Sequence, residues 1–184
     1  MNKDSIVLGS GNLYVKEFKK GSEIPQNSEI EKEDNRLGYI SGGCTVEYAP
    51  EFYEAKDDMG KVSKSIITNE VVNLKTGLIT WCGKTLEKLC STARVSEAAG
   101  KRTVKIGGVG NQKNDLYLIH FVHEDKEDGA IRVTIVGNNQ AGFSFAFAKD
   151  KETTIDAEFS AKPMDTEGTL LLYEEEDATI LAMV

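Results

Sequence analysis

The chain has 184 residues and a mass of 20.2 kDa, which fits one domain spanning 1–184 with a core of its own. Its composition, 40% hydrophobic and 28% charged, excludes wholesale disorder, and no apolar run approaches the ~18 residues needed to cross a bilayer. A net charge of −8 argues against tight nucleic-acid binding, which gains its affinity by neutralising phosphates with Lys and Arg.

Before the first element, MNKDSIVLGS carries an apolar patch too short for a secretory signal, so synthesis in the cytoplasm is expected. GNLYVKEF (11–18) then alternates Leu13 and Val15 against Tyr14 and Lys16 and predicts a strand. The polar stretch KKGSEIPQNSEIEKEDNR (19–36) is too long for a simple connection and predicts an arm or a loop. YISGGCTVEYA (39–49) resumes strand character, with Gly42 and Gly43 marking a bulge or bend. FYEAKDDMGKVSKSII (52–67) predicts a hairpin within a longer one at about 44–67. Asp57, Asp58, Met59 and Gly60 form its turn, and Gly60 is free to take positive φ. EVVNLKTGLITW (70–81) adds a further short strand or linking arm.

GKTLEKLCSTARVSEAAG (83–100) places Leu86, Leu89, Cys90 and Ala93 at helical spacing, with Thr85 to cap the start and Gly100 to stop the end. A stripe this narrow predicts a helix lying on a sheet. Strands follow at 102–108, at 115–125, which is apolar on both faces and so covered on both, and at 131–136. GFSFAFA (142–148) puts Phe143, Phe145 and Phe147 on one face of a further strand. Strands at 153–161 and 169–173 close the series. Eight or nine strands with one flanking helix predict a mainly β fold, a β-sandwich or barrel.

Few residues suit chemistry. His120 and His123 stand three apart in one strand, whose period of two sends them to opposite faces, so they do not share a metal and are read as core-edge or surface residues. Cys44, Cys82 and Cys90 form no CxxC pair and read as buried free thiols in a reducing compartment. The glycine clusters at 9–12 and 107–112 do not open a helix as a phosphate loop does, and DDMG at 57–60 lacks the ligand series of a calcium loop. No catalytic, cofactor or metal residue is expected. After Lys162 no basic residue remains, while Asp165, Glu167, Glu174, Glu175, Glu176 and Asp177 follow, either a solvated edge or an assembly surface. The apolar end TILAMV (179–184) covers a neighbour or folds back on its own core.

Read together, LGYISGGCTVEYAPEFYEAKDDMGKVSKSI (37–66) and VGNNQAGFSFAFAKDKETTIDAEFSAKPMDTEGTLLLYEEE (136–176), with the helix at 85–97 between them, resemble the major tail (tail tube) proteins of long-tailed, non-contractile bacteriophages. The second stretch carries Phe159-Ser160-Ala161 followed by Pro163, Asp165 and Gly168, as at the end of that family. The resemblance runs from about Asn12 to Glu176 and implies a β-sandwich or barrel subunit that assembles into stacked hexameric rings, a hollow tube through which DNA passes. It implies a virion protein without enzyme activity or cofactor, whose partners are further copies of itself, the tape measure protein, the tail terminator and the distal tail protein. The hairpin tip Asp57–Gly60 would dock into a neighbour, and Glu47, Glu54 and Lys64 are candidates for facing the lumen. The 19–36 stretch would be an inter-ring arm or a surface loop. Two other readings remain: the inner tube of a contractile tail or secretion system, and a monomeric β-barrel that binds a small ligand.

Overall fold

The computed structural model describes residues 6–125, 129–145, 147–150 and 152–176. The N-terminal residues 1–5 and the apolar end at 179–184 lie outside them. Ten strands dominate. Eight form one antiparallel sheet in the order β2-β1-β7-β8-β9-β4-β3, with β10 also pairing on β8 beside β9. They are β1 (Asn12–Phe18), β2 (Arg36–Gly38), β3 (Ile40–Lys56), β4 (Ser63–Leu78), β7 (Leu116–Asp125), β8 (Gly129–Asn139), β9 (Ile155–Lys162) and β10 (Leu172–Glu175). The remaining two, β5 (Arg94–Ala98) and β6 (Lys101–Lys105), make a separate ribbon. The expected mainly β class is present, but the sheet does not close into a barrel; its borders are the three-residue β2 and the seventeen-residue β3.

Alternation along the central strands explains why both faces of this sheet are covered. In β1 and β7, Leu13, Val15, Tyr117 and Ile119 point into one buried cluster, joined by Leu74, Leu78, Ile155 and Phe159 of the neighbouring strands. Tyr14, Phe18, Leu118 and Val122 point the other way into a second cluster with Ile30, Val136 and Met164. That second layer is supplied by the polar 19–36 stretch. It folds into a four-residue helix α1 (Asn27–Ile30) and a short 3-10 turn (Glu33–Asn35), and its single fully buried side chain, Ile30, anchors it to the sheet. This part of the stretch is thus held by its own chain.

The predicted helix at 83–100 is much shorter. The second helix, α2 (Gly83–Leu89), buries Leu86 and Leu89 in the first cluster and stops at Cys90, whose φ of −135° is extended. Thr85 does cap its start: the hydroxyl accepts the Cys82 N–H at 3.2 Å and donates to the Leu37 carbonyl at 3.1 Å. At the other end the Asn139 side-chain amide donates to the Leu89 carbonyl at 2.9 Å, satisfying an acceptor that helix termini leave open. Beyond Ala93 the chain pairs as β5 with β6, register Arg94↔Lys105 to Ala98↔Lys101, around a tight turn at Ala99 (φ 51°) and Gly100 (φ 73°). Positive φ at both central residues is the twist-matched hairpin turn, so Gly100 turns a hairpin rather than stopping a helix.

Other boundaries move for similar reasons. The strands expected at 52–67 and 70–81 are parts of one continuous hairpin, β3–β4, which is longer than the 44–67 span expected. The bulge expected at Gly42-Gly43 is present: both glycines have φ near 80° (78° and 80°), and the register skips between Ser41 and Cys44. The last strand starts at Leu172, three residues later than the expected 169, because Asp165 accepts the Glu167 and Thr169 N–H groups at 3.0 and 2.9 Å and holds those residues in a turn. Of the segment 142–148, the described residues 142–145 and 147–148 are not in a strand and join no ladder of the sheet.

Candidate functional site

The β3–β4 hairpin leaves the body of the sheet half-way along its length. Near its base β4 is clamped between β3 and β9, and Val72, Leu74, Thr76 and Leu78 alternate inward. Past Asn73, β9 gives out, and from Glu51 to Glu70 every residue is exposed. The ribbon nevertheless stays paired to its tip, down to Lys56↔Ser63. Asp57 accepts the Val62 N–H at 2.7 Å and Gly60 has φ 66°, so the Asp57–Gly60 turn is where the spacing placed it. Those backbone hydrogen bonds, the one from Val62 first, hold the Asp57 carboxyl below its usual range.

An exposed two-stranded ribbon normally carries polar side chains. This one carries apolar pairs on both faces. A bulge at Thr68 resets the alternation of β4 while β3 keeps its own, so that Phe52 stands opposite Ile67 on one face and Tyr53 opposite Ile66 on the other. Tyr48, Met59 and Val62 are exposed as well.

The three lumen candidates do not form one surface. Glu47 and Lys64, which stands opposite Ala55, share the face that turns away from the first cluster, whereas Glu54, on the same side of β3 as Val46, lies on the other. Glu47 is ion-paired to Lys75 at 2.8 Å and Glu54 to Lys56 at 2.9 Å. Lys75 also reaches Glu158 at 3.5 Å, and its own pKa is raised by the hydrogen bond to Glu47 first.

A second apolar feature lies in the segment that was expected to be a strand. Phe143, Phe145 and Phe147 do share a side, with ring centroids 5.0 and 5.9 Å apart, and Trp81 stacks on Phe145 at 4.8 Å. Phe143 reaches the first cluster; Phe147 is 78% exposed. Sequence periodicity found the one-sided row but assigned it strand partners that the sheet does not provide. Beside the row an open groove of about 510 Å³ is lined by Gly42, Gly43, Thr76, Phe143, Ser144 and Asp156 among others. No histidine or cysteine lines it, and its one cation, Lys75, is already ion-paired.

The buried polar residues form a structural clasp. His120 is fully buried, not a surface residue, with Nδ1 2.7 Å from the Thr134 hydroxyl and Nε2 3.3 Å from Glu31 Oε1. A carboxylate only accepts, so Nε2 carries the proton and Nδ1 accepts from Thr134. Burial is the larger influence and pushes the imidazole pKa down, the Glu31 carboxylate opposing it. Arg132 bridges Glu31 at 2.6 Å and Glu176 at 2.7 Å. His123 is also buried, on the opposite face, and its Nδ1 meets the Ser10 carbonyl at 2.7 Å. Among the described residues no group of three or more His, Cys, Asp or Glu could hold a metal ion, and no helix is long and apolar enough to cross a membrane.

No family model matches the chain, and no curated protein matches it. One solved structure similar to it is the virion of a native gene transfer agent (GTA) particle, at 6% identity and a TM-score of 0.40 over 89% of this chain and 95% of that one. An overlap at that level does not establish a common fold or function.

Proposed function

We propose that the chain is a structural virion protein, the subunit of a hollow tail tube built from stacked rings of identical copies, with no catalytic role of its own. The observation that carries this reading is the β3–β4 ribbon: twenty consecutive exposed residues, Glu51 to Glu70, with apolar cross-strand pairs on both faces. An isolated two-stranded hairpin is marginal in water, and exposed apolar surface of this extent marks an interaction site. A partner that buries both faces stabilises the ribbon and hides Phe52, Tyr53, Ile66 and Ile67 together.

Identical copies are the simplest such partner. The sheet has an unpaired seventeen-residue border in β3. Edges of this kind template pairing with another chain. A projecting element that meets a different surface of the next copy is a heterologous contact, which closes into rings or continues as a filament. The resemblance of residues 37–66 and 136–176 to tail tube proteins supports the same reading, including the ring-stacked tube, passage of DNA and the virion as its location. Tape measure, terminator and distal tail proteins would cap and fill such a tube.

Sedimentation of the purified chain over a concentration series tests it. The reading requires species at multiples of 20.2 kDa. A single 20.2 kDa species at every concentration overturns it.

A further inference from the structure

The β5–β6 ribbon is a basic surface on an acidic protein. Between Arg94 and Lys105 lie four basic residues, Arg94, Lys101, Arg102 and Lys105, against the single acid Glu97, in a chain of net charge −8. The register separates them by face. Arg102 pairs with Glu97 at 2.7 Å on the side where Val95 and Val104 also point, and that side packs on α2, where the Arg102 and Val104 side chains crowd Gly83. The opposite side carries Arg94, Lys101 and Lys105, spaced by the small Ser96, Ala98 and Thr103, and no acid at all.

Arg94 and Lys105 are directly opposed across the ribbon. Like charges in that position destabilise a strand pair, and a two-stranded ribbon has little stability to spare. Arg94 is occupied by the Gly107 carbonyl at 3.2 Å, but among the described residues Lys101 and Lys105 have no ion-pair partner. A flat face with three cations, no bulky side chain and no internal counter-charge is complementary to an acidic surface from outside.

The same chain offers one. From Asp165 to Glu176 there are five acids and no basic residue. Asp165 is used by its own turn, Glu174 by Asn27 at 3.4 Å and Glu176 by Arg132. Glu167 and Glu175 are exposed, and among the described residues Glu175 is hydrogen-bonded to the exposed Tyr173 hydroxyl, at 2.9 Å. We propose that the basic face of the β5–β6 ribbon docks on the acidic 165–176 segment of a second copy of this chain. This rests on the reading of the protein as self-assembling and names one pair of surfaces that join. The contact is heterologous, basic face to acidic face, and so repeats without exhausting either surface. Opposed charges also steer the encounter and fix its orientation.

Full-length protein carrying Lys101→Glu and Lys105→Glu, with folding checked by circular dichroism, is compared with wild type by sedimentation at about 0.05 M and about 0.5 M NaCl, where screening shortens the reach of surface charge. The expected result is assembly weakened about tenfold in the double variant at low salt, with high salt weakening wild type in the same direction. A chain with Glu167→Lys and Glu175→Lys loses assembly alone and regains it when combined with the Lys101→Glu, Lys105→Glu changes. Wild-type assembly with an unaffected double variant overturns the ribbon contact and leaves the self-assembly reading standing. A wild type that stays monomeric overturns both. Loss of binding to a labelled single-stranded oligonucleotide in the double variant, with assembly unchanged, overturns the contact in favour of a polyanion partner.

Discussion

Phe52 and Ile67 face each other across the β3–β4 ribbon at 61% and 50% exposure, on the same face of β3 as Val46 but far from the cluster on which Val46 packs. The inward face of the sheet is thus written on past the point where the sheet has anything to pack against. On the reverse face, Tyr53 and Ile66 repeat the pattern at 59% and 48% exposure.

Replacing Phe52, Tyr53, Ile66 and Ile67 together with Ser is expected to abolish higher-order species. Because all four are exposed in the single chain, each should change the stability of the monomer by no more than about 0.5 kcal/mol. Sedimentation gives the first quantity and thermal unfolding of a dilute sample the second. Unchanged assembly would remove the ribbon from the interface.

Gly137 sits where β8 meets β9, and a Cβ there would collide with the Ser160 carbonyl oxygen. Its φ is not in the left-handed region, so the constraint is close approach of two backbones rather than backbone strain. Gly137→Val should separate β8 from β9 and lower the unfolding temperature by several degrees or prevent folding. By contrast Gly21→Ala, where a Cβ meets nothing, should cost only the strain of its φ of 84°. Comparative thermal unfolding checks the pair.

Much of this architecture was legible in the residues, and the failures share a cause. The alternation of 115–125 and 131–136 gave β7 and β8 correctly because both lie at the sheet's centre, where burial on each face dictates every side chain. The 94–100 segment was misread because Ser-Glu-Ala-Ala favours a helix locally, while pairing with Lys101–Lys105 and the Ala99-Gly100 turn decides for strand. The described residues of 142–148 show the converse error: a strand pattern that joins no strand. The basic face of β5–β6 could not be seen without that register. The alternating Arg-Val-Ser-Glu-Ala and Lys-Arg-Thr-Val-Lys flanking Ala-Gly were the missed signal.

His120 gives the fold a pH dependence. Its buried imidazole has a pKa below the ordinary value in the folded chain, so as pH falls the unfolded chain takes the proton first. The stability it contributes is complete above about pH 6.5 and declines as pH drops from there toward the folded-state value. Glu31, Arg132 and Glu174 face the ring, Glu31 and Glu174 opposing the shift and Arg132 adding to it. His120→Gln is expected to flatten the stability curve below about pH 6.5 relative to wild type, measured by denaturant unfolding at a series of pH values.

The free thiols should differ in reactivity. Burial pushes the Cys44 thiol up to about 12, leaving almost no thiolate at neutral pH. Cys82 is exposed at the start of α2; partial burial opposes ionisation there, but hydrogen bonds from the Thr85 and Lys84 backbone outweigh it and lower the pKa. Iodoacetamide followed by peptide mass spectrometry should find Cys82 modified first and Cys44 protected until the chain unfolds. Equal labelling would contradict the burial of Cys44.

Negative-stain microscopy of the purified, concentrated chain bears most directly on the central claim that its exposed ribbon is completed by other copies. The account predicts rings or stacked tubes with a hollow axis, lost when Phe52, Tyr53, Ile66 and Ile67 are changed to Ser. A field of separate 20.2 kDa particles, identical for wild type and variant, would contradict it.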